Sequence, residues 1–277
     1  MTDRRTGRPL RAAAWCLMML AAALPAAAPR SDGAQAAGDL YQTTVIVTGY
    51  DTRNRPAGFA QALREVLVKV SGEPRLRDDP RVAKLARHPD ALITSFDYVD
   101  QMAGIKHKDD QGTYDRPYNL TVHFDPARID KALAALGEHP WRGARPVIVP
   151  VLTVRGVSTS YLLSAENSAG AMQRDAFASV ARDYAMRVRF PTDAEFAAWH
   201  VAMGQFPAPQ AASSADQAVV AGTVEFQQAL PGWVGAWKMR WRGVNYVWGI
   251  RGVNFDEAFR DLIRGVVRVA SGHGAPN

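Results

Sequence analysis

Between Gly232 and Arg242 the chain reads G-W-V-G-A-W-K-M-R-W-R, and its side chains alternate with a period of two. Odd positions hold Trp233, Gly235, Trp237, Met239 and Trp241; even positions hold Val234, Ala236, Lys238, Arg240 and Arg242. Only a β-strand sends successive side chains to opposite faces, so this stretch is a strand with one apolar and one wet face. With Trp248 just beyond it, the segment up to Ile250 carries four of the chain's seven tryptophans. Burying one such ring contributes about 2–3 kcal/mol, and leaving all of them bare makes a large adhesive patch. Any fold for this chain must therefore cover that face. The last helical pattern supplies the cover: Asn254 and Glu257 mark its start, and Phe255, Ala258, Phe259, Leu262, Ile263, Val266 and Val267 recur at helical spacing. The aromatic row is read as core in preference to a ligand platform.

A two-residue loop at Gly243-Val244, with Gly at the first central position of a type II′ turn, predicts the register of the following strand. Arg242 then faces Asn245, Trp241 opposes Tyr246, Met239 opposes Trp248 and Trp237 opposes Ile250. On the other face Arg240 meets Val247, Lys238 meets Gly249 and Ala236 meets Arg251, which separates the two faces cleanly. Lys238, Arg240 and Arg251 thus form a basic face beside Arg242, a seat for an anionic partner. The competing reading is a solvated sheet face on which the Lys and Arg stems lie flat.

The first 36 residues read as a secretory signal and stand outside the fold. Arg4, Arg5, Arg8 and Arg11 make a positive start, an apolar run containing Trp15 and Leu17 follows, and Ala34-Gln35-Ala36 fits a cleavage site. Five arginines and two aspartates leave with this segment, so the net charge falls from +6 to +3. The basic balance then argues little for a nucleic-acid partner. Cys16, the single cysteine, leaves too and lacks the surroundings of a lipid-attachment site. Without cysteine the exported chain has neither disulfides nor thiolate metal sites, and its core must rest on apolar burial. No later segment is apolar enough to predict a membrane span.

The mature chain is predicted to be α+β: two small α/β units, each with helices packed on a mixed, largely antiparallel sheet. The first, 40–137, holds strands over 41–49, 92–102 and 118–124 and helices carrying Phe59–Val70, Val82–Leu85 and Ile129–Leu136. The breaker-rich G-E-H-P-W-R-G-A-R-P, 137–146, forms the boundary. The second unit, 146–270, begins with V-I-V-P-V-L-T-V, a near-continuous apolar strand expected to be covered on both faces. It continues with helix 172–185, a short strand M-R-V-R-F, helix 193–203 behind a Thr192/Glu195 capping box, a surface loop over 204–216, strands 217–227, 232–242 and 245–252, and the final helix. Residues 271–277 are expected to form a disordered tail.

Motifs that carry chemistry are missing from this sequence. It has no G-x-S-x-G, H-E-x-x-H, phosphate-binding loop, G-x-G-x-x-G or C-x-x-C, and its six histidines form no i, i+4 pair. The nearest approach to a metal loop is His107, Asp109, Asp110 and Asp115, whose spacing fits a solvated hairpin tip better than a calcium loop. Asp193 and Glu195 suit a helix N-terminus rather than acid–base work. No catalytic residue, metal ligand or cofactor is assigned.

The blocks F-A-Q-A-L-R-E-V-L-V-K-V-S-G, L-T-V-H-F-D-P-A-R-I-D-K-A-L, W-R-G-A-R-P-V-I-V-P-V-L and W-V-G-A-W-K-M-R-W, in that order, resemble exported bacterial proteins of domain-of-unknown-function family twenty sixty-six. That resemblance spans about residues 40–270 and implies export and fold, with no catalytic motif to carry over. More loosely, the element order of the second half is similar to the TolB amino-terminal domain, the curli-secretion lipoprotein and the lipoprotein activators of penicillin-binding proteins. These likenesses imply a periplasmic, non-enzymatic accessory or adaptor that binds another envelope protein. The alternative is a hydrolase or glycan-binding protein acting on cell-envelope polymer, with carboxylates that only the fold brings together.

Overall fold

A computed structural model describes residues 40–104, 116–203, 216–229 and 231–276. The fold is α+β, with the sheets and helices that the hydrophobic periods demand. In the first half, β1 (Gln42–Thr48), β2 (Ile93–Asp100) and β3 (Pro117–Phe124) form an antiparallel sheet in the order β1-β3-β2. Val45, Leu120, Val122 and Phe124 point inward from it and are buried. Helix α1 (Arg55–Ser71) lies across that inner face, begins with Pro56 in its first turn and ends where Gly72 adopts φ 76°. Helices α2 (Pro80–Leu85) and α3 (Pro126–Ala135) start on the side chains of Asp79 and Asp125, which accept from backbone N–H groups two or three residues on.

The second half is built on a mixed sheet of β4 (Val147–Arg155), β5 (Ser160–Leu162), β6 (Arg187–Val188), β7 (Gln217–Gln227), β8 (Gly232–Trp241) and β9 (Val244–Val253). The order is β5-β4-β7-β8-β9, β4 runs parallel to β7, and β6 pairs with β4. As its unbroken apolar run requires, β4 is covered twice. Ile148, Leu152 and Val154 join the main core, while Val149 and Val151 lie under Phe196 of the short α5 (Asp193–Ala198). The capping box at Thr192 and Glu195 is formed: each side chain accepts from the other residue's backbone N–H. Helices α4 (Ala171–Asp183) and α6 (Phe255–Ser271) cover the inner face of the sheet.

The hairpin register differs from the one read in the sequence. The turn residues are Arg242 and Gly243, at φ 47° and 84°, and Trp241 pairs with Val244 rather than Tyr246. Positive φ at both positions gives a type I′ turn, whose twist suits a hairpin; the expected type II′ turn at Gly243-Val244 is not used. Every pairing is therefore displaced by two residues: Met239 meets Tyr246, Trp237 meets Trp248 and Lys238 meets Val247. A slip of two leaves each side chain on its own face, so the apolar and basic faces survive it intact.

Trp237, Trp241 and Trp248 are buried, as a core reading requires. Room for the rings comes from residues without side chains. A Cβ on Gly222 or Gly235 would lie 2.4 or 2.2 Å from the Trp237 ring, and one on Gly265 of α6 would lie 2.3 Å from the Trp248 indole. These glycines let the rings lie against neighbouring backbone at the density of a protein interior.

One contiguous apolar core runs from Val45 in the first sheet through α1 and α6 to Trp248 in the second. The 137–146 connection is fastened to both halves. Trp141 donates its backbone N–H to Val70 O, and Arg145 donates to the carbonyls of Lys69 and Tyr184 while stacking over the Trp141 ring. Burial pulls the Arg145 guanidinium down to about 10.

Replacing Gly265 by Ala tests the packing logic. In an open helix this change gains about 1 kcal/mol, whereas overpacking a filled core costs about 1–3 kcal/mol. Gly265→Ala is expected to lower the melting temperature, and a raised one would mean that Trp248 is free to move.

Candidate functional site

Three surface features combine chemistry with shape, and the first is the basic face expected from the sequence. Lys238 and Arg240 on β8 and Arg251 on β9 all project from the outer face and are exposed. The true register separates them. Arg240 faces Asn245 and Lys238 faces Val247 in adjacent rungs, whereas Arg251 faces Val234, two rungs beyond Lys238. The four-residue step from Lys238 to Val234 spans roughly 13 Å of strand. Arg251 also shares its rung with Glu225 of β7, which Arg155 of β4 approaches at 3.8 Å. The cationic seat is therefore Lys238 and Arg240 with Arg242 in the turn, and Arg251 belongs to a mixed-charge row. Between the two groups Ala236 opposes Gly249, so only a methyl group projects there. Val247 is 68% exposed and Val244 52%, unusual for valines in a regular strand.

The second feature was not legible as a site. Helix α6 carries Glu257, Asp261, Arg264 and Arg268 along one stripe, opposite its apolar face. That stripe meets the 3₁₀ turn Pro74–Asp78 across a cleft of about 400 Å³, with Arg75, Arg77 and Asp78 on the far wall and Trp248 at the floor. The cations facing this cleft already have partners. Arg264 reaches Glu257 at 2.6 Å, Arg77 reaches Glu65 at 3.4 Å and Arg268 is ion-paired with Glu73. Asp261 is the cleft carboxyl with altered acidity: burial pushes it above the ordinary value of 3.8, partly offset by the Trp237 indole N–H donated to Oδ2 at 2.9 Å. The Trp248 indole N–H donates to the Asp261 carbonyl at 3.3 Å. The signal available in the sequence was the spacing 257/261/264/268, four charged residues on one stripe of a helix otherwise noticed for its apolar side.

The third feature joins the two halves at the end of α6. Glu73, Glu138 and His273 each bring one donor atom within 4.8 Å of the others, a spacing a metal ion could bridge. Arg268 occupies that corner, paired with Glu73 and held by Ala275 O, so a guanidinium supplies the positive charge. His273 Nε2 lies 2.9 Å from Glu138, and Nδ1 lies 2.7 Å from Ser271 Oγ. This hydroxyl–imidazole–carboxylate series has the composition of a hydrolytic triad. The Ser271 hydroxyl, however, has a single proton and also lies 2.9 Å from Gly72 O and 3.1 Å from Arg268 O. The arrangement works as a clasp between the end of α1 and the end of α6, where a Cβ on Gly72 would lie 2.6 Å from Ser271. Ser271 and His273, read from the sequence as a trailing tail, are part of this clasp.

Other residues weighed from the sequence divide simply. His107, Asp109, Asp110 and Asp115 lie outside the described residues. Glu195 serves its helix start: the Thr192 backbone N–H above all, then Arg189, holds its carboxyl below the ordinary value. Among the described residues no helix is long and apolar enough to cross a membrane.

Residues 34–142 match a family described as a domain of unknown function, DUF8605. The expectation of a domain of unknown function is met at that level. No curated protein and no solved structure matches the chain.

Two predictions come from these groups. Glu73→Ala strands Arg268 in a buried site, and breaking a buried pair this way costs about 3–5 kcal/mol; urea denaturation should register that loss, and added zinc should leave the wild-type melting temperature unchanged. For Asp261, the raised folded-state value means its contribution to stability is fully present below pH 3.8 and is lost as pH rises through the folded value. The stability of wild type relative to Asp261→Asn should therefore fall with rising pH from 3.8 upward and then level off. A difference that rises with pH would reverse the assignment.

Proposed function

We propose that this chain is an exported accessory protein of the cell envelope, working in the periplasm, that binds another envelope protein through the outer face of the β8–β9 hairpin. The observation that carries the reading is that face itself: Lys238 and Arg240, both exposed, stand in neighbouring same-face pairs beside Val247, which is 68% exposed. Charge with bare apolar surface is the composition of a recognition patch rather than of a solvated sheet back. The signal-like pattern of residues 1–36 supports export. The resemblance to family twenty sixty-six, and the looser one to TolB-type envelope modules, supports placement in the envelope, though by analogy of fold alone.

A hydrolytic role is the second reading, favoured by one specific observation: Asp78, Glu257 and Asp261 line a cleft beside Trp248. It ranks lower because Glu257 is engaged by Arg264 and Asp261 by Trp237, which leaves Asp78 without a second carboxylate to share acid–base work in that lining.

Affinity capture of the full exported chain from crosslinked cells tests the proposal, with wild type compared with Lys238→Glu/Arg240→Glu. One dominant envelope protein should be captured by wild type and reduced at least tenfold by the charge reversal. Equal capture by both would remove the hairpin face from the argument. Release of fragments from isolated envelope polymer by wild type, abolished in Asp261→Asn, would transfer the argument to the cleft.

A further inference from the structure

We infer that β9 is a docking edge: it takes an added strand from an extended, acidic segment of the partner. This rests on the hairpin being the binding surface and specifies how it binds. Among the described residues strand β9 ends the sheet, and its ladder runs to β8 alone. With a two-residue turn, the closing pair Trp241–Val244 exchanges both of its backbone hydrogen bonds, and such pairs then alternate with unbonded ones along an antiparallel ladder. Tyr246, Trp248 and Ile250 therefore bond toward β8. Asn245, Val247, Gly249 and Arg251 turn their N–H and C=O groups to the open edge, and all four are exposed.

An edge of this kind is usually guarded. Proteins shorten edge strands, place proline in them, bulge them or cover them, because a row of free donors and acceptors recruits other chains. Strand β9 is 10 residues long and contains no proline, and its one irregularity lies at the far end, opposite Trp233 and Val234. What guards it is positive charge on β9 and its neighbour β8. Neither β8 nor β9 contains an acidic residue, whereas Lys238, Arg240 and Arg251 stand on the outer face and Arg242 in the turn. A second copy of this chain would bring the same cations together, so the charge selects against self-pairing and for an acidic strand.

The sheet also dictates the pattern of the incoming segment. Side chains of an added strand alternate between faces. One set falls beside the outer row of Asn245, Val247, Gly249 and Arg251, where acidic groups reach the cations. The other set falls beside Tyr246 and Ile250, which are half-buried on the inner face and extend the apolar surface. The occupant is thus a segment in which acidic and apolar residues alternate.

The test uses acetyl-(Glu-Val)5-amide as probe, (Lys-Val)5 as its control, and the exported chain both as wild type and as variants. Amide exchange on adding the probe should slow at least tenfold at Asn245, Val247, Gly249 and Arg251, with (Lys-Val)5 inactive. Val247→Pro deletes one outward donor and no bond to β8, so it should weaken binding at least tenfold while Val247→Ala binds within about threefold of wild type. If Val247→Pro loses its cooperative melt, the wild-type exchange map decides. Unchanged affinity in a folded Val247→Pro, protection elsewhere than β9, or β9 protected in a concentration-dependent dimer without probe would each overturn the inference. Loss of binding on reversing Lys238 and Arg240, with folded Val247→Pro unaffected, would discard strand addition and keep the hairpin face. Indifference to both changes would discard the face as well.

Discussion

Everything in the second half is arranged around covering the inner face of β8 and β9 with α6. The face is unusually heavy, with three buried tryptophans and Met239, and large rings bring a polar edge that needs an acceptor once it is dry. Asp261 supplies it: its carboxylate takes the Trp237 N–H and its carbonyl the Trp248 N–H. A carboxyl group sits half-buried beside the aromatic core where the Trp237 indole requires an acceptor, and its weakened acidity records the burial that this demands. The same helix then continues to the other half, where Arg268 meets Glu73 and Ser271 meets Gly72. One element thus closes the aromatic core and fastens the two sheets together. The charged cleft along its polar stripe is the space left where the helix passes the 3₁₀ turn at Pro74–Asp78.

How much of this was legible depended on which physical rule wrote each feature. Rules of period left clear traces. The alternation in β8 named the buried tryptophans, the apolar run of β4 announced cover on both faces, and Thr192 with Glu195 announced the start of α5. Hairpin register was only half-written, because facing is preserved by a slip of two and the turn alone decides between the alternatives. Arg242 at φ 47° was the deciding residue, and arginine gives no hint that it will take a conformation more natural to glycine or asparagine. Strand β5 escaped because three residues cannot display a period. The clasp escaped for a different reason: His273 and Glu138 are 135 positions apart, and Arg268 and Glu73 are 195 apart. No local pattern connects such residues. The candidate basic face shows both effects at once, since its facing was legible and the distance of Arg251 from Lys238 was not.

The outer face of the second sheet is covered unevenly, and the unevenness has a simple cause. Helix α5 has six residues, about 9 Å of helix, while four strands side by side span about 14 Å from the first axis to the last. It shelters Val149, Val151, Val219 and Ala221 on β4 and β7 and stops there. On β8 and β9 the same face carries Lys238, Arg240, Ala236 and Gly249, residues that tolerate water, together with Val247, which gains nothing from it. A sheet back evolved only for solvation would replace that valine by threonine or a charged residue at no cost to β propensity. An exposed valine beside a lysine on the last strand of the sheet instead fits the strand addition proposed for β9.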